Sequence, residues 1–309
     1  MSSILCIGNF GTGRKEQFDV AELLCYLCRN EHCKLILGLG NNIYPDGVTS
    51  VNDNQFLEKF EIPYSVLPNN IKFYQILGNK DYHLKPSPRS QINYHKSGKS
   101  FRWIMPNNFY CFSKKFNSVP VEFIAIDTNL DKMKNRVIQE KWAINTLFES
   151  KARWRILFGH HPWKVFGIKG KEKHISDELN EFYQKLVDTN KVDLIISGHE
   201  NSQQHIYIPE RPDMIISGVG GYKHKEDDIK SQIKYSKDLR FKSVETGCVK
   251  IDIFKDYLLV EFYNTNKVVL YTFKITLIMH KHALRINLKP IEQIKSQSKT
   301  CAKLYSVTR

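Results

Sequence analysis

The chain has 309 residues, of which 41% are hydrophobic, and a formal charge of +14 at pH 7. This length and composition predict a soluble globular protein with a large core, arranged as one large domain or two ordinary ones. No run of 18 apolar residues occurs, and the N-terminal sequence MSSILCIGNFGTG lacks the basic and long apolar segments of a signal peptide. We therefore expect no membrane span and a cytoplasmic location.

The positive charge favours anionic partners, whether phosphate groups, nucleic acid or an acidic protein surface. We do not expect nucleic-acid binding, because the sequence has no recognition-helix pattern and its aromatic residues do not alternate with basic ones. Seven widely spaced cysteines favour reduced thiols over a disulfide framework. Cys25, Cys28, His32 and Cys33 have zinc-ligand chemistry, but the first two lie on a predicted helix, so we favour ordinary thiols there. The abundance of Lys, Asn and Ile is typical of AT-rich genomes, such as those of large DNA viruses or parasites.

Apolar runs rich in β-branched residues recur along the chain and predict strands that are covered on both faces. They are residues 4–8, 34–40, 72–79, 121–128, 154–160, 192–199 and 214–220. Between them, apolar residues at three- and four-residue spacing predict helices over 15–30, 136–150 and 176–190, the last beginning at a Ser176 cap. This alternation predicts an α/β fold.

After Gly247 the pattern changes to alternating strands joined by turns at KD and NTNK. Because there is no low-complexity linker or repeat, we predict one domain over residues 1–278 and a basic tail over 279–309. From Met279 onward, seven Lys or Arg accompany the single acid Glu292. Two interpretations stay open: a solvated tail, or a docking segment for an acidic partner.

Five predicted strands end in Gly followed by Asn or His. The tips read GNFG (8–11), GNNIY (40–44), GNKD (78–81), GHHP (159–162) and GHEN (198–201). Ligands in open α/β sheets bind beyond the carboxyl ends of the strands, where glycine permits tight turns. We therefore expect a common pocket lined by Asn9, Asn41, Asn79, His160 and His199.

In this order, the five tips resemble the motifs GDxG, GDNxY, GNHD, GHxP and GHxH of the calcineurin-like metallophosphoesterases. Within that superfamily, the connecting segments 47–61, 102–110, 126–129 and 216–222 resemble those of purple acid phosphatases of the tartrate-resistant type. The resemblance implies a four-layer α/β/β/α sandwich of two mixed β-sheets. It also implies a dinuclear metal site at the strand tips, where the metals activate a water that attacks phosphorus.

Carried over by position, one metal site would use Asn9, the bridging Asn41, Tyr44 and Asn201, where the family has Asp, Asp, Tyr and His. Only Tyr44 is retained. An asparagine offers a neutral carbonyl and an NH₂ group in place of a carboxylate. We therefore expect this site to be degenerate and without metal.

The other metal site would use the same bridging Asn41 with Asn79, His160 and His199, where the family has Asp, Asn, His and His. Three of these four residues are retained. Two imidazoles and the amide oxygens could hold a single Fe, Zn or Mn ion weakly. Our expectation is no cofactor, or at most one such ion.

Lys80 stands where the family's GNHD motif has its histidine, while Asp81 of the same motif is retained. A lysine is a poor acid at neutral pH but a good fixed cation. We therefore assign no catalytic residue with Lys80 and Asp81 in these positions, and expect Asp81 to be structural. Together with His160, His161 and His199, Lys80 would form an anion-binding pocket for phosphate or a phosphorylated group.

The sequence thus predicts a phosphatase homologue that has lost its dinuclear centre and acts as an anion-binding or scaffold protein, with an unidentified protein partner favoured. Two alternatives stay open. One is a weakly active single-metal phosphomonoesterase or phosphodiesterase. The other is a structural component of a larger assembly that does not use the pocket.

Overall fold

The computed structural model describes residues 2–167, 172–221 and 237–276, which contain fourteen strands and four α-helices. The strands are β1 (Ser3–Ile7), β2 (Cys33–Gly38), β3 (Phe73–Gln75), β4 (Trp103–Ile104), β5 (Tyr110–Phe116), β6 (Val119–Ala125), β7 (Trp154–Gly159), β8 (Leu194–Ser197), β9 (Gln203–Ile206), β10 (Asp213–Ser217), β11 (Leu239–Ser243), β12 (Gly247–Ile253), β13 (Tyr257–Asn264) and β14 (Val269–Thr276). The helices are α1 (Lys15–Asn30), α2 (Ser87–Lys96), α3 (Arg136–Glu149) and α4 (Asp177–Val187).

These strands form two seven-stranded sheets, in the orders β14-β13-β12-β1-β2-β3-β4 and β11-β9-β10-β8-β7-β6-β5. In the first sheet, β1 to β4 are parallel, whereas β12, β13 and β14 pair antiparallel. In the second, β6, β7, β8 and β10 are parallel, and β5, β9 and β11 pair antiparallel. Both sheets are mixed, as the family resemblance implied.

Three apolar cores lie between the layers of the molecule. The central core lies between the sheets and includes Leu35 of β2 and Phe158 of β7. A second core packs α1 against the outer face of the first sheet through residues such as Leu24. A third packs α3 and α4 against the second sheet through Leu147 and Phe182. The predicted four-layer α/β/β/α sandwich is confirmed.

Helices α1, α3 and α4 match the predicted segments closely. Ser176 caps α4 as expected, since its side chain accepts a hydrogen bond from the Leu179 backbone N–H at 3.3 Å. The KD and NTNK turns also lie between β12, β13 and β14. The local patterns of apolar spacing and capping were therefore sufficient for these elements.

Some elements were not predicted because their sequences are polar. Helix α2 has the sequence SPRSQINYHK, and β9 has QQHI, yet every residue of β9 is buried. Gln203 of β9 is stabilised by a bond from its Nε2 to the Tyr263 carbonyl at 3.0 Å. Burial of β9 thus depends on side-chain hydrogen bonds across the fold, which no periodicity of hydrophobic residues reveals.

The predicted domain boundary at residue 278 and the tail 279–309 lie outside the described residues, whose last strand ends at Thr276. The boundary and both interpretations of the tail stay predictions. Among the described residues, no helix has the length and apolarity needed to cross a bilayer. The six described cysteines are all free thiols.

Candidate phosphoesterase-type site

The glycine-ended strand tips meet at one end of the two sheets. A Cβ added to Gly8, after β1, would lie 3.0 Å from the Gly198 Cα, after β8, so glycine permits the close approach of the sheets. The Asn9 N–H donates to the Gly40 carbonyl at 3.0 Å, and the Gly198 N–H donates to the His160 carbonyl at 3.1 Å. These backbone bonds connect neighbouring tips and place the predicted site residues around one centre.

Several site residues have left-handed backbone conformations. The φ angles are 56° at Asn9, 55° at Asn41 and 61° at His199. Asparagine and histidine are the non-glycine residues that tolerate this region best. Gly40, with φ of 83°, has a second constraint, since a Cβ there would lie 2.6 Å from His160 Nδ1. The left-handed conformation lets the backbone turn tightly at these positions.

Asn9 is fully buried and its amide nitrogen points at three oxygen atoms. Nδ2 lies 3.0 Å from the His199 carbonyl, 2.9 Å from the Gly218 carbonyl and 2.9 Å from Asn201 Oδ1. Because the two backbone carbonyls can only accept, the NH₂ group of Asn9 must face them. The side chain that would be a metal-binding carboxylate in the family thus acts here as a donor.

Asn41 continues this arrangement. Its Nδ2 donates to Asn9 Oδ1 at 2.9 Å and to the Tyr44 hydroxyl at 3.1 Å, while its Oδ1 accepts the Lys80 backbone N–H at 2.9 Å. The oxygen atoms of Asn9 and Asn41 are therefore both used as hydrogen-bond acceptors. We call Asn9, Asn41, Tyr44 and Asn201 the amide half of the site.

The amide half does not fit a metal ion. It offers no carboxylate, and the oxygens of Asn9, Asn41 and Asn201 each accept an N–H group. A cation at this position would face the NH₂ groups of Asn9 and Asn41 as well.

The other side of the pocket holds Asn79, His160, His161 and His199, which we call the imidazole half. His160 is fully buried, and its Nδ1 lies 2.7 Å from the Leu39 carbonyl. Since a carbonyl can only accept, Nδ1 carries the proton and the lone pair of Nε2 faces the pocket. Asn79 Oδ1 lies 3.0 Å and His199 Nδ1 3.3 Å from this Nε2. The imidazole half therefore brings metal-ligand atoms together.

His161 reaches the same centre from the next position in the chain. Its backbone N–H donates to Thr128 Oγ1 at 2.8 Å, and its Nδ1 lies 2.9 Å from the same hydroxyl. Its carbonyl accepts the Tyr183 hydroxyl at 2.7 Å. These contacts fix the ring and leave Nε2 as its uncommitted nitrogen.

The three imidazoles are neutral at neutral pH. Burial and the neighbouring rings of His161 and His199 lower the pKa of His160 well below its usual value. Burial, then His199, lowers the pKa of His161 to about 3, and burial also lowers the pKa of His199. Neutral imidazole is the form that binds a metal ion. Residues of the imidazole half thus fit one ion, which when bound would polarise an oxygen ligand.

Positive charge reaches the site from two lysines. Burial lowers the pKa of His199, and the ammonium groups of Lys173 and Lys80 add to this effect while Glu200 opposes it. Glu200, the acid beside His199, pairs with Lys173 at 2.7 Å. In the part of the chain that the structure describes, no carboxylate forms a salt bridge with Lys80. Lys80 and the Lys173–Glu200 pair are thus the charged groups that act on His199.

Asp81 has a structural role. The carboxylate is fully buried and accepts the backbone N–H of Gly78 at 2.8 Å, those of Asn42 at 3.1 Å and Ile43 at 3.3 Å, and Gln91 Nε2 at 3.0 Å. Burial raises its pKa to about 6, against the opposing effect of these hydrogen bonds. Asp81 holds the second and third strand tips together and does not face the pocket's imidazoles.

Three residues that support the site belong to no motif that would identify them in the sequence. Thr128, Leu39 and Gln91 act through a hydroxyl, a carbonyl and an amide that orient the site residues. Thr128 lies in the IDTN segment, and the resemblance of that segment to the family was the only indication in the sequence that Thr128 belongs to the site.

The zinc alternative at Cys25, Cys28, His32 and Cys33 gains no support, because among described residues the one cluster with metal-binding geometry is His160, His161 and His199.

Comparisons with known proteins agree with the fold and the motifs. The family described as Calcineurin-like phosphoesterase matches residues 3–203. Purple acid phosphatase 7 of Arabidopsis thaliana is 28% identical over 71% of this chain and 70% of its own length. Purple acid phosphatase 3 of the same plant is 26% identical over 91% of this chain and 79% of its own length.

Solved structures show the same fold. The structure described as GAP50, the anchor in the inner membrane complex of Plasmodium, has a TM-score of 0.76 and 23% identity, and covers 90% of both chains. A purple acid phosphatase from yellow lupin seeds has a TM-score of 0.66 and 15% identity, over 89% of this chain and 53% of that one. The chain therefore belongs to the calcineurin-like phosphoesterase family and is a homologue of the purple acid phosphatases.

Proposed function

We propose that this protein is a pseudo-phosphatase whose pocket binds phosphate or a phosphorylated group without hydrolysing it. The observation that carries the proposal is the bond from Asn41 Nδ2 to Asn9 Oδ1, at 2.9 Å. It joins, through an N–H donor, the two positions where the family has metal-binding carboxylates. The dinuclear centre needed to generate and position the attacking hydroxide is thereby lost.

Loss of catalysis also follows from Lys80. An ammonium group is a much weaker acid than an imidazolium, so a lysine is a poor proton donor to a leaving group at neutral pH. The same ammonium is a strong binding group for a phosphate oxygen. The substitution therefore favours retention of the anion over its turnover.

The direct test is a titration of metal-free, full-length protein with inorganic phosphate, followed by thermal unfolding and calorimetry. Phosphate should stabilise the wild type, because a ligand that binds only the folded state adds about 2.7 kcal/mol at a hundredfold excess over its Kd. Lys80→Ala should lose this stabilisation. Equal responses of wild type and Lys80→Ala would contradict the proposal.

Lys34→Ala is the matched control. Lys34 is an exposed lysine at the start of β2, at the opposite end of that strand from Asn41. The variant has the same change in net charge as Lys80→Ala, so it should bind phosphate as the wild type does. A parallel loss in both variants would mean that phosphate binds through general surface charge.

The single-metal phosphoesterase is the second candidate, favoured by the converging ligand atoms of Asn79, His160 and His199. It is tested with p-nitrophenyl phosphate in the presence of Fe²⁺, Zn²⁺ or Mn²⁺. We expect no turnover. Activity that disappears in His160→Ala would establish this candidate in place of the pseudo-phosphatase.

A scaffold role is supported by the GAP50 structure, which is described as an anchor in the inner membrane complex of Plasmodium and covers 90% of both chains. A scaffold role would also agree with the cytoplasmic location and the unidentified protein partner expected from the sequence. Co-purification with the full chain and with Lys80→Ala would separate it from anion binding. A partner that is retained by Lys80→Ala acts on a surface outside the pocket.

A further inference from the structure

The three histidines of the imidazole half surround a common point. The ring centroids are 4.9 Å apart for His160 and His161, 5.1 Å for His160 and His199, and 4.4 Å for His161 and His199. The planes cross at 82°, 77° and 50°, so the rings are not stacked. Three imidazoles on one tetrahedral zinc ion, with Zn–N near 2.0–2.1 Å, have centroids roughly 5 Å apart. The rings thus have nearly the spacing of a three-histidine zinc site.

The ligand atoms support the same arrangement. One ring nitrogen from each histidine lies within 4.8 Å of the other two. His160 Nε2 and His199 Nδ1 are separated by 3.3 Å, which is about the edge of a zinc tetrahedron with these bond lengths. The remaining separations have to shorten by rotation of the rings. His199, the most exposed of the three, has the freedom to do so.

Supporting contacts fix two of the rings. The Leu39 carbonyl holds His160 Nδ1 at 2.7 Å, and the Thr128 hydroxyl holds His161 Nδ1 at 2.9 Å. The carbonyl can only accept, so it fixes the tautomer of His160. The hydroxyl can donate or accept, so it fixes the orientation of the His161 ring and is compatible with a proton on Nδ1. In both rings, the nitrogen that remains is Nε2.

We propose that His160, His161 and His199 form a mononuclear zinc-type site in which His161 is a ligand. This differs from the set implied by the family resemblance, where the third protein ligand would be Asn79 and no role falls to the residue after His160. Three neutral nitrogen donors without a carboxylate favour Zn²⁺ or Co²⁺ over Mg²⁺, which prefers oxygen. The inference goes beyond the proposed anion binding, because the cation site can be tested without phosphate.

The amide half explains why His161 would be recruited. In the family, the bridging aspartate gives each metal a negatively charged oxygen. Here the bridging position is Asn41, whose oxygen accepts the Lys80 N–H at 2.9 Å. A third imidazole is a far better ligand for zinc than a neutral amide oxygen that is already hydrogen-bonded.

The test is calorimetric titration of the chelator-treated, full-length protein with ZnCl₂, and visible absorption spectroscopy with CoCl₂. The wild type should bind one ion, give the intense d–d bands of tetrahedral Co²⁺, and keep the ion in excess Mg²⁺. His161→Ala should bind at least about tenfold more weakly and lose the tetrahedral spectrum. His161→Asn repeats the test with a side chain that can still contact Thr128, in case the alanine variant does not fold.

Asn79→Ala separates the two ligand sets, because it should weaken Zn²⁺ binding less than His161→Ala does and keep the tetrahedral Co²⁺ spectrum. His174→Ala is the control, since it removes a histidine whose side chain is 83% exposed and should have no effect. If Asn79→Ala loses the ion while both His161 variants keep it, the family's ligand set is used and the proposal is wrong. Unchanged binding in all variants, or no binding by the wild type, would overturn it as well.

The phosphate titration described above uses metal-free protein and Lys80→Ala, whereas the metal titration uses phosphate-free protein and the His161 variants. Failure of one is therefore distinguishable from failure of the other. Wild type that binds phosphate but no zinc would support the pseudo-phosphatase and overturn the three-histidine site.

Discussion

The two halves of the pocket lie on strand tips of the same kind but differ in the atoms that they offer to a ligand. In the amide half, the side chains of Asn9 and Asn41 bind each other and the surrounding backbone. In the imidazole half, His160 is held by its Nδ1 and directs the lone pair of Nε2 into the pocket. Both halves keep the tight turns after Gly8 and Gly40 that place them. The comparison indicates that strand tips of the same kind can present either ligand atoms or a closed hydrogen-bonded network, depending on the side chains that follow the glycines.

The cost of each substitution explains this difference. A buried carboxylate without its metal is an uncompensated charge, which destabilises a protein by several kcal/mol. Replacing Asp by Asn removes the charge and supplies a donor for carbonyls that point into the site. Neutral histidines carry no such penalty when a metal is absent. In a metal-free pocket, asparagine is therefore more stable than aspartate in the amide half, whereas neutral histidines need no such replacement.

Rebuilding the amide half should give the largest effect. Asn9→Asp, Asn41→Asp, Lys80→His and Asn201→His together restore every ligand of the first metal and the family's acid. We expect bound metal to rise to two equivalents and phosphatase activity to appear, measured by elemental analysis and p-nitrophenyl phosphate hydrolysis. The control is the triple variant that keeps Lys80. It should bind two equivalents of metal but have lower phosphatase activity than the quadruple variant. If the quadruple variant binds no additional metal, the strand-tip motifs of this chain have been aligned incorrectly with those of the family.

Asn9→Asp alone should be strongly destabilising in the absence of metal. A carboxylate there would face the carbonyls of His199 and Gly218, which now accept from Asn9 Nδ2 at 3.0 and 2.9 Å. We expect a loss of about 3 to 5 kcal/mol in the free energy of unfolding, measured with urea. Asn190→Asp is a matched control, because Asn190 has a φ of 55°, close to the 56° of Asn9, but is exposed. Similar losses in both variants would place the effect in the backbone conformation, against our account of the network.

The sequence was sufficient for most of the fold and for the positions of the site, because these depend on local signals. Alternating apolar runs, helix spacing and glycine after each strand define where the tips lie. It was not sufficient for the direction of the asparagine amides, which is set by the His199 and Gly218 carbonyls from distant parts of the chain. Nor did it indicate that Thr128 orients His161, since a single threonine has no pattern.

Asp81→Asn should have an intermediate effect on stability. An asparagine would turn an NH₂ group toward donors that include the N–H groups of Gly78 and Asn42. We expect a loss of about 1 to 3 kcal/mol at pH 7, measured by urea unfolding. The pKa of Asp81 is raised to about 6, so the folded state binds the proton more tightly than the unfolded state. This contribution is present below about pH 4 and is lost as pH rises through 6.

The pH dependence of Asp81 gives a second measurement on the same variant. Between pH 4 and 6 the wild type should lose the stability that protonated Asp81 provides, and Asp81→Asn should not show this component. A variant with the wild-type pH dependence in that window would mean that Asp81 is ionised at both ends of it. The carboxylate's role in joining the strand tips would then be purely that of a charged acceptor.

The imidazole half should respond to acid, whereas the amide half cannot, because amides do not titrate. Burial lowers the pKa of His160 well below its usual value. Below about pH 6.5 the unfolded chain takes up a proton at this residue and the folded protein does not. The contribution of His160 to stability is therefore present above about pH 6.5 and is lost as the pH falls below it. His160→Gln should reduce the slope of the unfolding free energy below pH 6.5 by about 1.4 kcal/mol per pH unit, in chelator. His174→Gln, at an exposed histidine, should keep the wild-type slope. An unchanged slope in His160→Gln would mean that His160 takes up its proton as readily in the folded state as in the unfolded chain. That result would contradict the buried, neutral ring that the geometry describes.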